Sequence, residues 1–436
     1  MPIYITNNKT ENQIKNKTGE NIGVCILAAG VARRLEPISN IIAKPAFPLG
    51  GKLPIVELWV RKFVETGMNR IVMNLHRVPE SIKEHFKEGK KFLADIIYVN
   101  EATPSGTLGG AIKMVEEFRK CGFNPKRVFI PSGDIVSGIK KEQLEEMLDF
   151  HKKQGAVATM MLAPIPWERR RDFGTVIMDG YKDTKSIPPR TYAKITDFIE
   201  KDPNSPSNLN NASNYIIETD FLLELKQYLT EAKVGLDEPC YDFGKHVFMG
   251  MKGKVRHLEF LTKRKDDLYG YEPGTFWYDI GNKRDYLSVN EAILQGKIQI
   301  DLPYYKYPWG WMGANVETDL DQITINSPVV IGHDCTIFPG AVIGPNVVLG
   351  DGWVVHREAK IKNAVLWPHY NFMQTHNNLT PKISRIREVR EKVEIETSII
   401  VGGVIDKDIK EKTVDVKQCG DLNIRCIDQV PEGPRP

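Results

Sequence analysis

The stretch LAAGVARRLEPISNIIAKPAFPLGGK, residues 27 to 52, gathers cations around a glycine turn. Arg33, Arg34, Lys44 and Lys52 lie within one loop-length of Gly30, after a short apolar run and before a helical pattern. Glycine lets main-chain N–H groups approach phosphate oxygens, and the neighbouring cations neutralise them. A triphosphate is the expected guest. Two commoner phosphate loops are excluded by the residues themselves. G-x-G-x-x-G needs glycine where Ala32 and Leu35 stand, and a Walker loop needs Ser or Thr after its lysine, whereas Leu53 follows Lys52.

Such a loop works only if a strand delivers it and a helix receives it. GVCILAAG, from Gly23, reads as the strand, and Ile55, Leu58, Trp59 and Phe63 recur at helical spacing. The alternation repeats in RIVMNL before a charged amphipathic stretch, DIIYV before GTLGGAIKMVEEF, and RVFIPSGD before KKEQLEEMLDFHKKQG. These β-α-β units predict a mostly parallel sheet over residues 22–160, with a ligand at the carboxyl ends of its strands. AVATMMLAPI, FGTVIMDG and KITDFIEKDP read as further strands that extend the sheet and roof the site, and YDIGNKRDYLSVNEAIL as a closing helix.

Ile325, Ile331, Ile337, Ile343, Leu349, Val355 and Ile361 are aliphatic at a strict period of six. Hexapeptide repeats build a parallel β-helix in which each short strand forms one face of a triangular prism. The run predicts little more than two coils, with Pro328, Pro339 and Pro345 at corners. The resulting division is a flexible arm over 1–21, a catalytic domain over 22–300, the β-helix over 301–370, and an extension over 371–436 with no motif.

Composition narrows the function further. Fifty-nine basic and 56 acidic side chains leave a formal charge of +3, so no global field marks a nucleic-acid or membrane-surface binder. The six cysteines include no C-x-x-C pair, which argues against a disulfide framework and a thiolate zinc site. No apolar run reaches the roughly 18 residues of a membrane span, and the N-terminus lacks a secretory signal pattern. A cytoplasmic protein is expected.

Seven motifs, in order, resemble those of the sugar-1-phosphate nucleotidyltransferases. They are the loop with Leu27 to Gly30, Arg34, Leu35, Pro37 and Ala43-Lys44-Pro45, then Pro104 to Thr107, Gly133-Asp134, Phe173 to Val176, Glu200 to Pro203, Asn211 to Tyr215, and Trp277 to Gly281. The resemblance covers about residues 22–290. It implies an α/β fold, a Rossmann-like domain with a mixed, mostly parallel sheet, followed by a short left-handed parallel β-helix. It also implies the reaction of a nucleoside triphosphate with a sugar 1-phosphate to give a nucleotide-sugar and pyrophosphate, dependent on Mg²⁺. A phosphate oxyanion is already a nucleophile, so in-line positioning and charge neutralisation suffice without a general base.

Residue by residue, the resemblance implies that Asp134 and Asp279 hold Mg²⁺, that Arg34 grips the β and γ phosphates, and that Lys44 lies near the α-phosphate. Ala28, Ala29, Gly30, Gly106 and Thr107 are expected to bind the nucleotide. Lys201 is expected on the sugar phosphate, with Glu200 and Asn211 on sugar hydroxyls and Gly174 admitting the sugar. Ala32 and Arg33 depart from the Gly and Thr of the family loop. AKPAFPLGGK and DFGK are similar to glucose-1-phosphate adenylyltransferases, whereas NLHRVPESI and EATPSGTLGG lean the reading towards mannose-1-phosphate guanylyltransferases. A regulatory homologue that binds nucleotide-sugar without turnover is the rival from another class. Homo-oligomerisation through the β-helix is the expected self-association, with no nucleic-acid polymer and no membrane as partner. His333, His356 and His369 raise the alternative of an acyltransferase base in the β-helix.

Overall fold

The computed structural model describes residues 21–181, 187–231, 241–254, 261–368, 387–410, 412–416 and 424–429. The arm expected over 1–21, save Asn21, and His369 lie outside them. Strands β1 (Ile22–Ala28), β2 (Arg70–Leu75), β3 (Asp95–Asn100) and β4 (Arg127–Pro131) form a parallel set in the order β3-β2-β1-β4. Helices α1 (Ile55–Glu65), α2 (Glu80–Phe86) and α3 (Gly106–Lys120) alternate with them, as the periodicity requires. A short strand, β5 (Ile135–Ser137), and α4 (Lys141–Gln154) follow.

Beyond this point the parallel pattern gives way. The sheet continues as β6 (Ala158–Pro164), β7 (Gly174–Met178), β8 (Thr191–Glu200), β9 (Leu209–Glu218) and β10 (Leu268–Glu272), in the order β4-β9-β6-β10-β8-β7. Only β6 and β10 are parallel neighbours there; β4-β9, β9-β6, β10-β8 and β8-β7 run antiparallel. The nine strands form an evenly mixed sheet, because β7 to β9 return without a helical crossover and so cannot align parallel. The short strand β11 (Trp277–Asp279) pairs with β5, and α6 (Lys283–Leu294) closes the domain after α5 (Thr219–Glu231).

The hexapeptide segment is a parallel β-helix with three stacked faces. Its second face runs from Glu317–Thr318 to Gly403–Ile405 and its third from Thr324–Ile325 to Ile409–Lys410, five strands each. Ile331, Ile337, Ile343, Leu349, Val355 and Ile361 are all buried inside it. The coils continue past residue 370, where the six-residue period stops, because Arg387–Val389 and Glu394–Glu396 stack on Val354–Val355 and Lys360–Lys362. An insertion between two strands resets the sequence register without interrupting the stack.

One face of the prism is buried on both sides. Val329, Ile331, Val347 and Leu349 point inward, while Val330, Val348, Val365 and Ile399 join the core of the catalytic domain. Trp367, fully buried, anchors this junction with Phe47 and Tyr286, ring centroids 5.1 and 6.1 Å away. Gly50 and Gly51 turn beneath it with φ of 53° and 91°; a Cβ on Gly50 would lie 2.3 Å from Leu302 Cδ2. Lys52 reaches across to Asp351 at 2.8 Å. The Gly-Gly-Lys end of the cationic loop thus serves docking, and Lys52 is not among the phosphate-facing cations expected from its position.

Trp367→Ala removes a large buried side chain from that junction and should cost about 3–5 kcal/mol. Denaturant unfolding checks this: a loss below about 1 kcal/mol would show that the two domains do not depend on the contact.

Candidate active site

The cavity opens at the carboxyl ends of β1 and β4, where an α/β sheet places its ligands. It has a volume of about 620 Å³, in the range of small-molecule sites. Its charged end is organised around Lys44. The ammonium Nζ donates to Asp134 Oδ2 at 2.6 Å and to Asp279 Oδ1 at 3.0 Å, and all three side chains are at least three-quarters buried. Burial alone would push the Asp134 carboxyl up, but the Lys44 charge overrides it and holds it below the usual carboxylate range. Burial alone would likewise lower the Lys44 ammonium, and the two aspartates hold it above the ordinary lysine value instead.

Strand register brings the aspartates together. Asp279 ends β11 directly opposite Ile135 in β5, which places it beside Asp134 in the preceding turn. Helix α1 buries Ile55, Leu58, Trp59 and Phe63, and the Trp59 indole donates to the Ile135 carbonyl at 3.0 Å, tying β5 down. On the other side Asn282 caps α6 by accepting from Asp285 N–H, and the Asp285 carboxylate accepts from Gly281 N–H at 3.1 Å. This reciprocal cap fixes the chain just after Asp279.

The loop expected to hold phosphate leaves β1 at Ala28, whose N–H donates to Asn74 Oδ1 at 2.8 Å. Ala32 adopts the left-handed conformation, φ 52° and ψ 42°. That conformation is the one the family's glycine would take freely, and alanine enters it at about 1–2 kcal/mol. The loop therefore follows the turn despite the methyl group. Arg33 and Arg34 line the cavity, and a Cβ built on Gly281 would lie 3.2 Å from Arg34 Nη2, which places that guanidinium beside the Asp279 turn. Arg169, which no motif marks, lies 4.0 Å from Asp285 on the same side.

Glu200 and Gly174 face one another across β8 and β7 on the cavity wall. A Cβ on Gly174 would stand 2.6 Å from Phe198 Cζ and 2.7 Å from Glu200 Oε2, and one on Gly244 would stand 3.1 Å from the same oxygen. The two glycines make the slot that holds this carboxylate, which burial pushes above its ordinary value. Lys201 follows with φ 50°, its Nζ 3.9 Å from Glu200. Asn211 accepts from Ser213 N–H at 3.0 Å.

Of the residues singled out from sequence, Ala28, Gly30, Arg34, Lys44, Thr107, Asp134, Gly174, Glu200, Lys201, Asn211 and Asp279 line this cavity. Ala29 and Gly106 do not. Ala29 is buried directly behind β1, and Gly106 opens α3 with φ 77°. Thr107 lines the wall, but its hydroxyl accepts from Phe243 N–H at 2.9 Å and so holds the DFGK segment. Asp242, Gly244, Lys245 and Ser132 also line the cavity. DFGK was visible as a motif; Ser132, whose hydroxyl donates to Asp134 Oδ1 at 2.6 Å, carried no signal. Nor did the buried Glu101, which accepts from Asn74, Ser105 and Lys113 and braces the wall behind β1.

The donor set suits Mg²⁺. Two carboxylate oxygens already converge on one cation. A hard dication bound by two carboxylates takes its remaining ligands from phosphate and water. In the β-helix, His333 Nδ1 accepts from Ala314 N–H, and His356 stacks on Phe338 with its Nε2 3.5 Å from Glu388. No helix among the described residues is long and apolar enough to cross a membrane.

The chain is 26 % identical over 358 residues to the UTP–glucose-1-phosphate uridylyltransferase of Synechocystis, covering 79 % of this chain and 82 % of the relative. It is 28 % identical to the glucose-1-phosphate adenylyltransferases of Acetivibrio thermocellus, over 78 % of this chain and 75 % of the relative, and of Clostridium acetobutylicum, over 74 % and 83 %. The profile described as nucleotidyl transferase matches residues 23–296, which include every cavity residue described above. With its parallel half-sheet, its paired aspartates and that match, the chain belongs to the nucleotidyl transferase family.

Proposed function

We propose that this cavity joins a nucleoside triphosphate to glucose 1-phosphate, forming the nucleotide-sugar and releasing pyrophosphate. The observation that carries the reading is one cavity lined both by the Lys44, Asp134 and Asp279 cluster and by Glu200, Lys201 and Asn211. The first cluster suits a triphosphate and the second a phosphorylated sugar. The relatives compared above are named for glucose 1-phosphate with UTP or ATP, which favours glucose over the mannose lean of the sequence. The DFGK segment on the cavity wall supports the same choice.

In this reading Arg34 holds the β and γ phosphates by its fork of donors, and Lys201 holds the sugar phosphate in line with the α-phosphorus. An oxygen of the sugar phosphate forms the new bond to that phosphorus while the bond to the bridging oxygen of the β-phosphate breaks. Lys44 lies where charge grows on the α-phosphate. Asp134 and Asp279 hold Mg²⁺, and when bound it supplies charge neutralisation on the phosphate oxygens. Glu200 accepts hydrogen bonds from sugar hydroxyls. A cytoplasmic location and self-association through the β-helix form part of the same proposal. A binding-only homologue would not need the complete cation and carboxylate set that lines this cavity.

Asp134→Asn should lower pyrophosphate release from a nucleoside triphosphate and glucose 1-phosphate by about 100-fold or more. Undiminished turnover in a coupled pyrophosphate assay would refute the metal assignment, and a matrix of four nucleotides against several sugar phosphates reads out base and sugar. Gly174→Ala should displace the Glu200 carboxylate and raise KM for glucose 1-phosphate about 10-fold or more, since a hydrogen bond to a charged group is worth roughly 1.5–3 kcal/mol. A KM unchanged within twofold would remove Glu200 from the sugar subsite.

A further inference from the structure

We infer that Lys44 is the resident counter-ion of the Asp134–Asp279 pair and excludes a divalent cation from it until a triphosphate draws the ammonium away. The inference rests on the proposed nucleotidyl transfer for the identity of that cation.

The geometry points to competition for the same oxygens. Ser132 occupies Asp134 Oδ1, and Lys44 occupies Asp134 Oδ2 and Asp279 Oδ1. A Mg²⁺ ion on those two oxygens would sit about 2.1 Å from each. With Nζ bonded to the same atoms, the two cations would stand no more than about 5 Å apart among side chains at least three-quarters buried, where like charges repel more strongly than in water. That repulsion sets the two cations in competition for the pair.

Removing the ammonium from the pair without a new partner would leave a cation buried and unpaired, which is unfavourable. The backbone of Lys44 is held in a short turn, by Ala46 N–H to Ala43 O at 2.8 Å and Phe47 N–H to Lys44 O at 3.0 Å. Only its four-carbon stem has freedom to move. That stem faces the cavity into which Arg33 and Arg34 also project. A triphosphate there offers anionic oxygens to Nζ, and the lysine can change partners without passing into water. Dication and triphosphate then assist one another, and the coupling is reciprocal. Without nucleotide, the lysine offsets one of the two carboxylate charges and occupies the oxygens a free metal would need.

The test uses Mn²⁺ as the probe, with binding to the full chain followed by electron paramagnetic resonance, in the absence of sugar phosphate so that nothing turns over. Wild type should bind Mn²⁺ alone weakly and gain at least tenfold in affinity when UTP or ATP is added. Lys44→Gln should bind Mn²⁺ alone at least tenfold more tightly than wild type, with a smaller gain from nucleotide, and Asp134→Asn in that background should abolish the tighter binding. A Lys44→Gln protein that binds Mn²⁺ alone no better than wild type overturns the inference. Should Lys44→Gln fail to fold, the double variant with Asp134→Asn decides: a folded double variant shows that unbalanced carboxylates were the cause, and an unfolded one overturns the counter-ion role. None of these readouts requires catalysis. Tighter Mn²⁺ binding without pyrophosphate release in wild type would retain the counter-ion and discard the transferase, and the reverse pattern would do the opposite.

Discussion

Two carboxylates from distant parts of the chain share one ammonium, and the site is arranged around the need to balance them. Asp134 and Asp279 are separated by about half of the catalytic domain in sequence, yet each lies within 3.0 Å of Lys44 Nζ. Leaving one partner of such a group buried and alone costs about 3–5 kcal/mol. The surrounding elements secure it: antiparallel pairing of β11 with β5, the indole of Trp59 on β5, and the Asn282–Asp285 cap beyond Asp279. The three charged side chains are at least three-quarters buried, yet they border a cavity of about 620 Å³.

Both halves of the mixed sheet contribute to the one cavity. Its parallel half delivers the glycine turn and Asp134, following the rule that open α/β sheets bind at strand carboxyl ends. Its antiparallel half delivers Glu200, Lys201 and Asn211 on long strands facing the same space. Glycine is needed at Gly174 because Phe198 and the Glu200 carboxylate already fill the volume a Cβ would take. One face of the β-helix is apolar on both sides, so the catalytic domain and the prism share a core through Trp367, Phe47 and Tyr286.

The sequence by itself determined the strand-and-helix alternation of the first 160 residues, the aliphatic period of the β-helix, and the identity of the charged residues around the cavity. Those are local properties: periodicity reports which face of an element is buried, and glycine beside cations reports affinity for phosphate. Tertiary structure decided the partners. Lys44 and Lys52 are equivalent in a linear reading of the loop, but one is folded onto two aspartates and the other onto Asp351 across the domain junction. Gly50 and Gly51 read as part of a phosphate loop and proved to be a docking turn, since their neighbours Leu302, Tyr304 and Val348 come from far along the chain. The later coils of the β-helix were hidden because an insertion resets the period without breaking the stack. Spacing encodes what a segment does to itself, whereas pairing between segments depends on strand register and packing, which no local pattern records.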